Sequence, residues 1–314
     1  ACLVACLASA RGNGLAPDYW EFHGELELEG TAFFEAPQFE RQRRHDVSLA
    51  GEATLLAEWF DGDLVGTFTP VARLAWADDR RRRCPGPEGR LRFARPVDTA
   101  RPVFETAAEA WTPSFAARFA GVFGPLDIGL SAFHGLGRDP SFLPEGEFLR
   151  PVYQRITQGG VDAQLTSGAT LWKLEAILRA GEKNAAFEDE TFGAVTGGIE
   201  HTLFGLAGTN ADLGLIAEHA WDSRGDDALT AFQNDVSAGV RLTLNDIADT
   251  SALLTSTVDV GDGSILLRLE AERRLAPRWT GALEAVGFVN TAPDGITAGF
   301  AEDSFMRLRI RYFF

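Results

Sequence analysis

No apolar run in this 314-residue chain approaches the roughly 20 residues that a membrane-spanning helix requires. An α-helical membrane protein is therefore excluded. Cysteine is scarce: Cys2 and Cys6 lie in the opening ACLVACLASA and Cys84 stands alone in the remainder. That leaves neither a disulfide framework nor a cysteine-based zinc site in the mature chain. Lys and Arg number 29 against 45 Asp and Glu, a formal net charge of -16, which argues against a nucleic-acid partner, since phosphates call for a basic face. Catalytic signatures are missing too. None of His23, His45, His134, His201 and His219 has a nucleophile and a carboxylate at motif spacing, and neither G-x-S-x-G nor H-E-x-x-H occurs. No catalytic residue, metal ligand or cofactor is expected.

What is present is alternation. The last ten residues, FMRLRIRYFF, place Met306, Leu308, Ile310, Tyr312 and Phe314 on one face of a strand and Arg307, Arg309 and Arg311 on the other. One face suits hydrocarbon and the other water. A terminal aromatic preceded by apolar residues at every second position resembles the C-terminal assembly signal of bacterial outer-membrane β-barrel proteins, which implies the barrel assembly machinery as a partner. Residues 20–34 alternate as cleanly, with Trp20, Phe22, Gly24, Leu26 and Leu28 set against Glu21, His23, Glu25, Glu27 and Glu29.

The same pattern predicts strands over 47–60, 64–76, 115–123, 126–132, 161–165, 170–178, 195–203, 213–221, 236–244, 252–258, 265–271, 279–290 and 305–314, fourteen with the first. Asp61-Gly62-Asp63, Gly124-Pro125 and Ser167-Gly168 supply tight turns. Pro70 has no N–H for the ladder and predicts a bulge or break in the third strand. Links after even-numbered strands are mostly brief. Those after odd-numbered strands are mostly longer, 36–45, 78–112, 138–150, 180–190, 222–232 and 291–302, with Gly261-Asp262-Gly263 the exception. Tryptophan prefers a membrane–water boundary, and Trp20, Trp59, Trp172 and Trp279 fall with Tyr312 at short-turn ends, Trp76 and Trp221 at long-loop ends, and only Trp111 in a loop. The expectation is an all-β fold: one closed antiparallel transmembrane β-barrel over 11–314, of about 14 strands, with short periplasmic turns and longer outer loops. Residues 1–10, a short apolar run ending in Ala8-Ser9-Ala10, read as the remnant of a secretory signal cleaved after Ala10. Leu3-Val4-Ala5-Cys6 also resembles a lipoprotein box that would leave Cys6 lipidated; either implies export.

Three stretches carry a family resemblance: CPGPEGRLRFARPVDTARPVFETAAEAW (84–111), VYQRITQGGVDAQLTSGATLWKLEAILRAGE (152–182), and FQNDVSAGVRLTLNDIADT (232–250) with LRLEAERRLAPRW (267–279). They resemble porin-like outer-membrane barrels of Gram-negative bacteria, akin to alginate-export-type channels. Members of that group carry additional strands ahead of the stretch matching 84–111, where this chain runs almost directly from Ala75-Trp76-Ala77-Asp78-Asp79. The resemblance implies outer-membrane localisation and passage of some solute, and brings no catalytic residues.

Strand charges concentrate on the inward positions. Glu21, Glu25, Glu27 and Glu29 with His23 come from the first strand, Arg268, Glu270, Glu272 and Arg274 from the twelfth, and Arg307, Arg309 and Arg311 from the last. Arg73, Arg118, Lys173, Glu175, Arg179, Glu200, Glu218, Arg241 and Glu284 extend the set. In lipid each arginine would cost roughly 2–4 kcal/mol near the midplane, so these residues are expected to line a lumen. Closure makes the first and last strands antiparallel neighbours, so a glutamate row meets an arginine row. The two rows read either as a structural ladder, about 0.2–1 kcal/mol per pair, or as charged walls whose transverse field orients a small polar or anionic solute. Arg80, Arg81, Arg82, Arg83, Arg90, Arg92, Arg95 and Arg101 crowd the stretch 78–112. It reads as an outer loop meeting lipopolysaccharide phosphates, or as a plug folded inward against the acidic first strand. A channel for an unidentified small solute is thus expected, with a structural or adhesive barrel, or a lipid hydrolase assembled by spatial proximity, as the alternatives.

Overall fold

Alternation becomes pairing in the computed structural model, which describes residues 19–40, 42, 44–59, 64–68, 71–75, 90–91, 93, 95–108, 111–184, 188–228, 230–293 and 297–314, with the backbone alone at 57–59, 64–68, 71–75 and 226. The segment 1–10, Asp61-Gly62-Asp63, Pro70, Trp76, Cys84 and the arginines Arg80, Arg81, Arg82, Arg83 and Arg92 lie outside the described residues, as do the side chains of Trp59 and Arg73.

The strands are β1 (Tyr19–Phe33), β2 (His45–Trp59), β3 (Leu64–Phe68), β4 (Val71–Ala75), β5 (Val103–Phe104), β6 (Phe115–Phe123), β7 (Leu126–Leu136), β8 (Ser141–Glu145), β9 (Phe148–Tyr153), β10 (Arg155–Ser167), β11 (Thr170–Lys183), β12 (Asp189–Leu203), β13 (Asp212–Asp222), β14 (Asn234–Thr243), β15 (Ser251–Asp259), β16 (Ile265–Ala276), β17 (Trp279–Val289) and β18 (Phe305–Phe313). No helix among the described residues is long and apolar enough to cross a membrane.

Fifteen of these strands form one antiparallel sheet, ordered β3-β2-β1-β18-β17-β16-β15-β14-β13-β12-β11-β10-β7-β6, with β4 also on β2. β3 pairs with residues 55–59 of β2 and β4 with residues 48–52, so the two share one position end to end and the sheet has fourteen positions. β3 and β4 keep one register on β2, with Phe68 opposite Leu55 and Val71 opposite Glu52, and the bulge or break expected at Pro70 lies outside the described residues. The first and last strands meet as expected: Glu27 lies opposite Arg311, Glu29 opposite Arg309 and Thr31 opposite Arg307. Phe314 extends that seam, exchanging two backbone hydrogen bonds of 3.0 Å with Gly24. Among the described residues the edge positions, β6 at one end and β3 and β4 at the other, are not hydrogen-bonded to each other.

Burial is inverted relative to a water-soluble sheet. Leu28 is 50% exposed while its neighbour Glu29 is 3% exposed. Trp20, Phe22, Leu26, Val47, Leu49, Trp172, Leu174, Leu215, Trp221, Leu254, Trp279 and Leu308, all on the apolar face, are likewise exposed. Water would penalise such a surface by about 25 cal/mol per Å2, and hydrocarbon would not.

Two stretches expected to be loops are ordered strand. Residues 138–150 contain the hairpin β8–β9, which joins β5 in a second, three-stranded sheet. Its cause is long-range: Phe93 and Phe104 of the arginine-rich stretch pack on Phe142 and Tyr153, with ring centroids 5.3 and 5.2 Å apart. No local pattern announces such contacts. The expected link 180–190 shrinks because β11 runs to Lys183 and β12 begins at Asp189. A bulge between Ala180 and Glu182 lets β11 continue, and Gly181, at φ +87, takes the left-handed conformation it needs. The bulge shifts the period-two pattern by one residue and hides the extension from the sequence.

Candidate functional site

The polar face of the sheet concentrates the charge. Around the β1–β18 seam the ion pairs join end to end. Arg311 reaches Glu272 at 3.6 Å and Glu27 at 3.2 Å, and Arg309 reaches Glu27 at 3.4 Å and Glu29 at 3.1 Å. Arg307 lies 3.7 Å from Glu29 and 2.8 Å from Glu284, which Arg268 contacts at 3.2 Å while also pairing with Glu270. Four strands thus feed one zigzag, because period-two alternation aims every second side chain of β1, β16, β17 and β18 to the same side. Arg241, Arg268, Arg307 and Arg309, with Glu270, Glu272 and Glu284, line a cavity of about 530 Å3.

The zigzag contributes to stability as well as to lining. Replacing Arg309 by methionine keeps an apolar stem and removes the hydrogen bonds of 3.3 and 3.1 Å to the buried Glu29 carboxylate. A loss of about 1.5–3 kcal/mol is expected, the range for hydrogen bonds to charged groups. Urea unfolding in detergent would show it as a lowered midpoint; an unchanged midpoint would mean the row carries no stability.

Other expected residues fall on the same face in smaller groups. Arg118 binds Asp162 through two bonds of 2.7 and 2.8 Å, and Glu200 bridges Lys173 at 3.6 Å and Arg241 at 2.5 Å. Arg179 donates to Gln158 and Glu182, both at 2.7 Å, and Arg224 joins Glu182 to Asp222. Among the described residues Glu21 accepts from the Tyr19 hydroxyl alone, at 3.3 Å. Arg274 is drawn to Asp249 in the short link 244–250 and stands at the strand end. In that link the N–H of Thr250 holds the Asp246 carboxyl below the ordinary range. Asp162 and Glu182 were missed although Asp162 shares the parity of its partners; Glu182 was hidden by the bulge. Among the described residues no group of three or more His, Cys, Asp or Glu is placed to hold a metal.

The arginine-rich stretch divides by position. Arg90 is buried at the ends of β1 and β18: its Nε donates to Asp303 at 2.5 Å, a second nitrogen to the Glu302 carbonyl, and its guanidinium lies 4.5 Å from the Phe33 ring centroid. Asp303 is wholly buried and also accepts from the Leu91 N–H at 2.5 Å. Fifteen residues on, Glu105 accepts from the Arg155 N–H at 3.1 Å and pairs with Lys183 at 3.2 Å, at the ends of β10 and β11. The stretch anchored at Arg90 and Glu105, whose residues 92 and 94 lie outside the described ones, therefore forms a strap from β18 to β11, seven positions away along the sheet. On the strap the Arg101 guanidinium holds the Asp98 carboxyl below the ordinary range, and Arg95 is exposed.

Sheet and charged face together define a porin-type antiparallel β-architecture. OprB of Pseudomonas putida is similar in fold, with a TM-score of 0.51, 10% identity and 94% of each chain covered. The outer-membrane channel DcaP of Acinetobacter baumannii aligns at a TM-score of 0.41 with 9% identity over 94% of this chain and 97% of that one. A triple mutant of the Rhodopseudomonas blastica porin aligns at 0.42 with 8% identity over 94% and 100%. No protein-family model and no curated protein matches the sequence.

Proposed function

We propose that this protein is an outer-membrane channel of a Gram-negative bacterium and not an enzyme, its sheet closed into a barrel of about 14 strands by pairing of β6 with β3 and β4. The inverted burial of the two faces carries the reading: exposed Leu28 and Trp172 beside buried Glu29 suit a hydrocarbon exterior and an aqueous interior. Closure is supported by the cost of an open strand edge in lipid, where unpaired backbone groups have no water to bond. The terminal strand would engage the assembly machinery, and exposed arginines at the long-link end would meet lipopolysaccharide phosphate.

In a closed ring of fourteen positions, seven apart is diametrically opposite, so the strap crosses the mouth. Strands about 4.8 Å apart and tilted about 40° give a diameter of roughly 28 Å. Fifteen residues reach up to about 50 Å when extended, ample for that span. The strap narrows the outer entrance and leaves the strand-lined section below it to the solute. Of the two solute classes, polar and anionic, the geometry favours the small polar one, because the arginines of β18 are each engaged by carboxylates.

Single-channel recording from purified, folded protein in planar bilayers tests the reading. Discrete conductance steps are expected. Folded protein that never conducts would instead favour a structural or adhesive barrel, and lipid hydrolysis by the purified protein would favour an enzyme.

A further inference from the structure

Resting on the channel reading, we propose that the strand-lined section of the lumen selects small inorganic cations over anions. The cations and the carboxylates of that section differ in how they are engaged. Among the described side chains, Arg118, Lys173, Arg179, Arg241 and Arg268 on the inner face each have a carboxylate within 4 Å, as do Arg274 and the three arginines of β18. A closely paired guanidinium and carboxylate present a dipole to the lumen, whose field fades faster with distance than that of a single charge.

The carboxylates are not all matched in return. Glu25, Glu52, Glu175 and Glu218 lie on the same face, by the register that sets Glu25 opposite Glu52, Glu175 opposite Asp162, and Glu218 opposite Ser237. No cation or hydrogen-bond donor reaches these four carboxylates among the described residues. Glu25 and Glu52 are direct cross-strand partners, and like charges so placed destabilise a sheet. A mobile counter-cation in an aqueous lumen offsets that repulsion. Fixed charge acts over about 8 Å at physiological ionic strength, a distance comparable with the radius left to a solute. Uncompensated carboxylates distributed over β1, β2, β11 and β13 therefore enrich cations and deplete anions along the path. Arg95 on the strap is an opposing charge that stands at the mouth above this section, and the side chain of Arg73, on the polar face by its register opposite Ala50, lies outside the described residues.

The test is the reversal potential of the full chain in planar bilayers under a KCl gradient, for the native protein and for a variant carrying E25Q, E52Q, E175Q and E218Q. Because these side chains have no partners among the described residues, the variant is expected to keep the folded, heat-modifiable form on electrophoresis. The native reversal potential should have the sign of potassium permeation, and the variant's should move toward zero. A potential of chloride sign, a native value of zero, or a potassium preference untouched in the folded variant would each overturn the proposal. Folded native protein without conductance would overturn the channel reading, and the selectivity with it.

Discussion

Arg90→Ala is expected to raise single-channel conductance several-fold while the protein remains folded. Arg90 is the anchor of the strap at the β1–β18 end, held by Asp303, the Glu302 carbonyl and the Phe33 ring. Removing it leaves the Asp303 carboxylate buried with, among the described residues, the Leu91 N–H as its one donor, a loss of the kind that costs about 3–5 kcal/mol. From Pro96 onward the strap stays paired with β9 and held at Glu105, so the cheapest relaxation is for its Arg90 end to swing out and let water reach Asp303. The sheet itself does not pass through Arg90, and heat-modifiable migration on electrophoresis should persist. Asp303→Asn provides the companion measurement, because it removes the ion pair yet leaves a side chain that still accepts from Leu91; an intermediate conductance is expected. Native conductance in both folded variants would show that the strap does not limit flow.

Gly24→Val is expected to break the pairing of β1 with β18. A Cβ at Gly24 would stand 2.5 Å from the Glu52 carbonyl oxygen and 2.6 Å from the Phe314 ring, and the first of these is backbone that cannot rotate away. The position also donates to and accepts from Phe314 across the seam. Overpacking of a well-fitted site typically costs about 1–3 kcal/mol, and here the strain falls on the contact joining the two ends of the chain. Loss of the heat-modifiable band and accumulation of protease-sensitive protein would be the readout. Gly30→Val is the control, since nothing lies within 4 Å of a Cβ there, and normal folding is expected. Equal behaviour of the two variants would refute the role assigned to the seam.

The seam shows how far local pattern reaches. Glu27 beside Arg311 and Glu29 beside Arg309 follow from two facts legible in the chain, the period-two charge rows of the first and last strands and the need for those strands to be neighbours. The register itself follows once the apolar faces are aligned, because a slip of one residue would turn each glutamate onto the apolar face. Arg118, Lys173, Glu200 and Arg241 were assigned to the polar face by the same parity. Where a bulge broke the period at Gly181, parity failed, and Glu182 went unseen.

Alternation alone, then, determined the strands of the large sheet, its two faces and the meeting of β1 with β18, since each depends on residues adjacent in the chain or on one closure condition. Only the tertiary structure decided what occupies the long-link end. The Arg90–Asp303 pair, the strap to Glu105 and the β5-β9-β8 sheet join residues from separate links through single contacts that leave no periodic trace. Which charges remain unpaired was decided there as well. Engagement of Arg309 by two glutamates, and of Glu25 by no cation among the described residues, depends on the reach of individual side chains across strands.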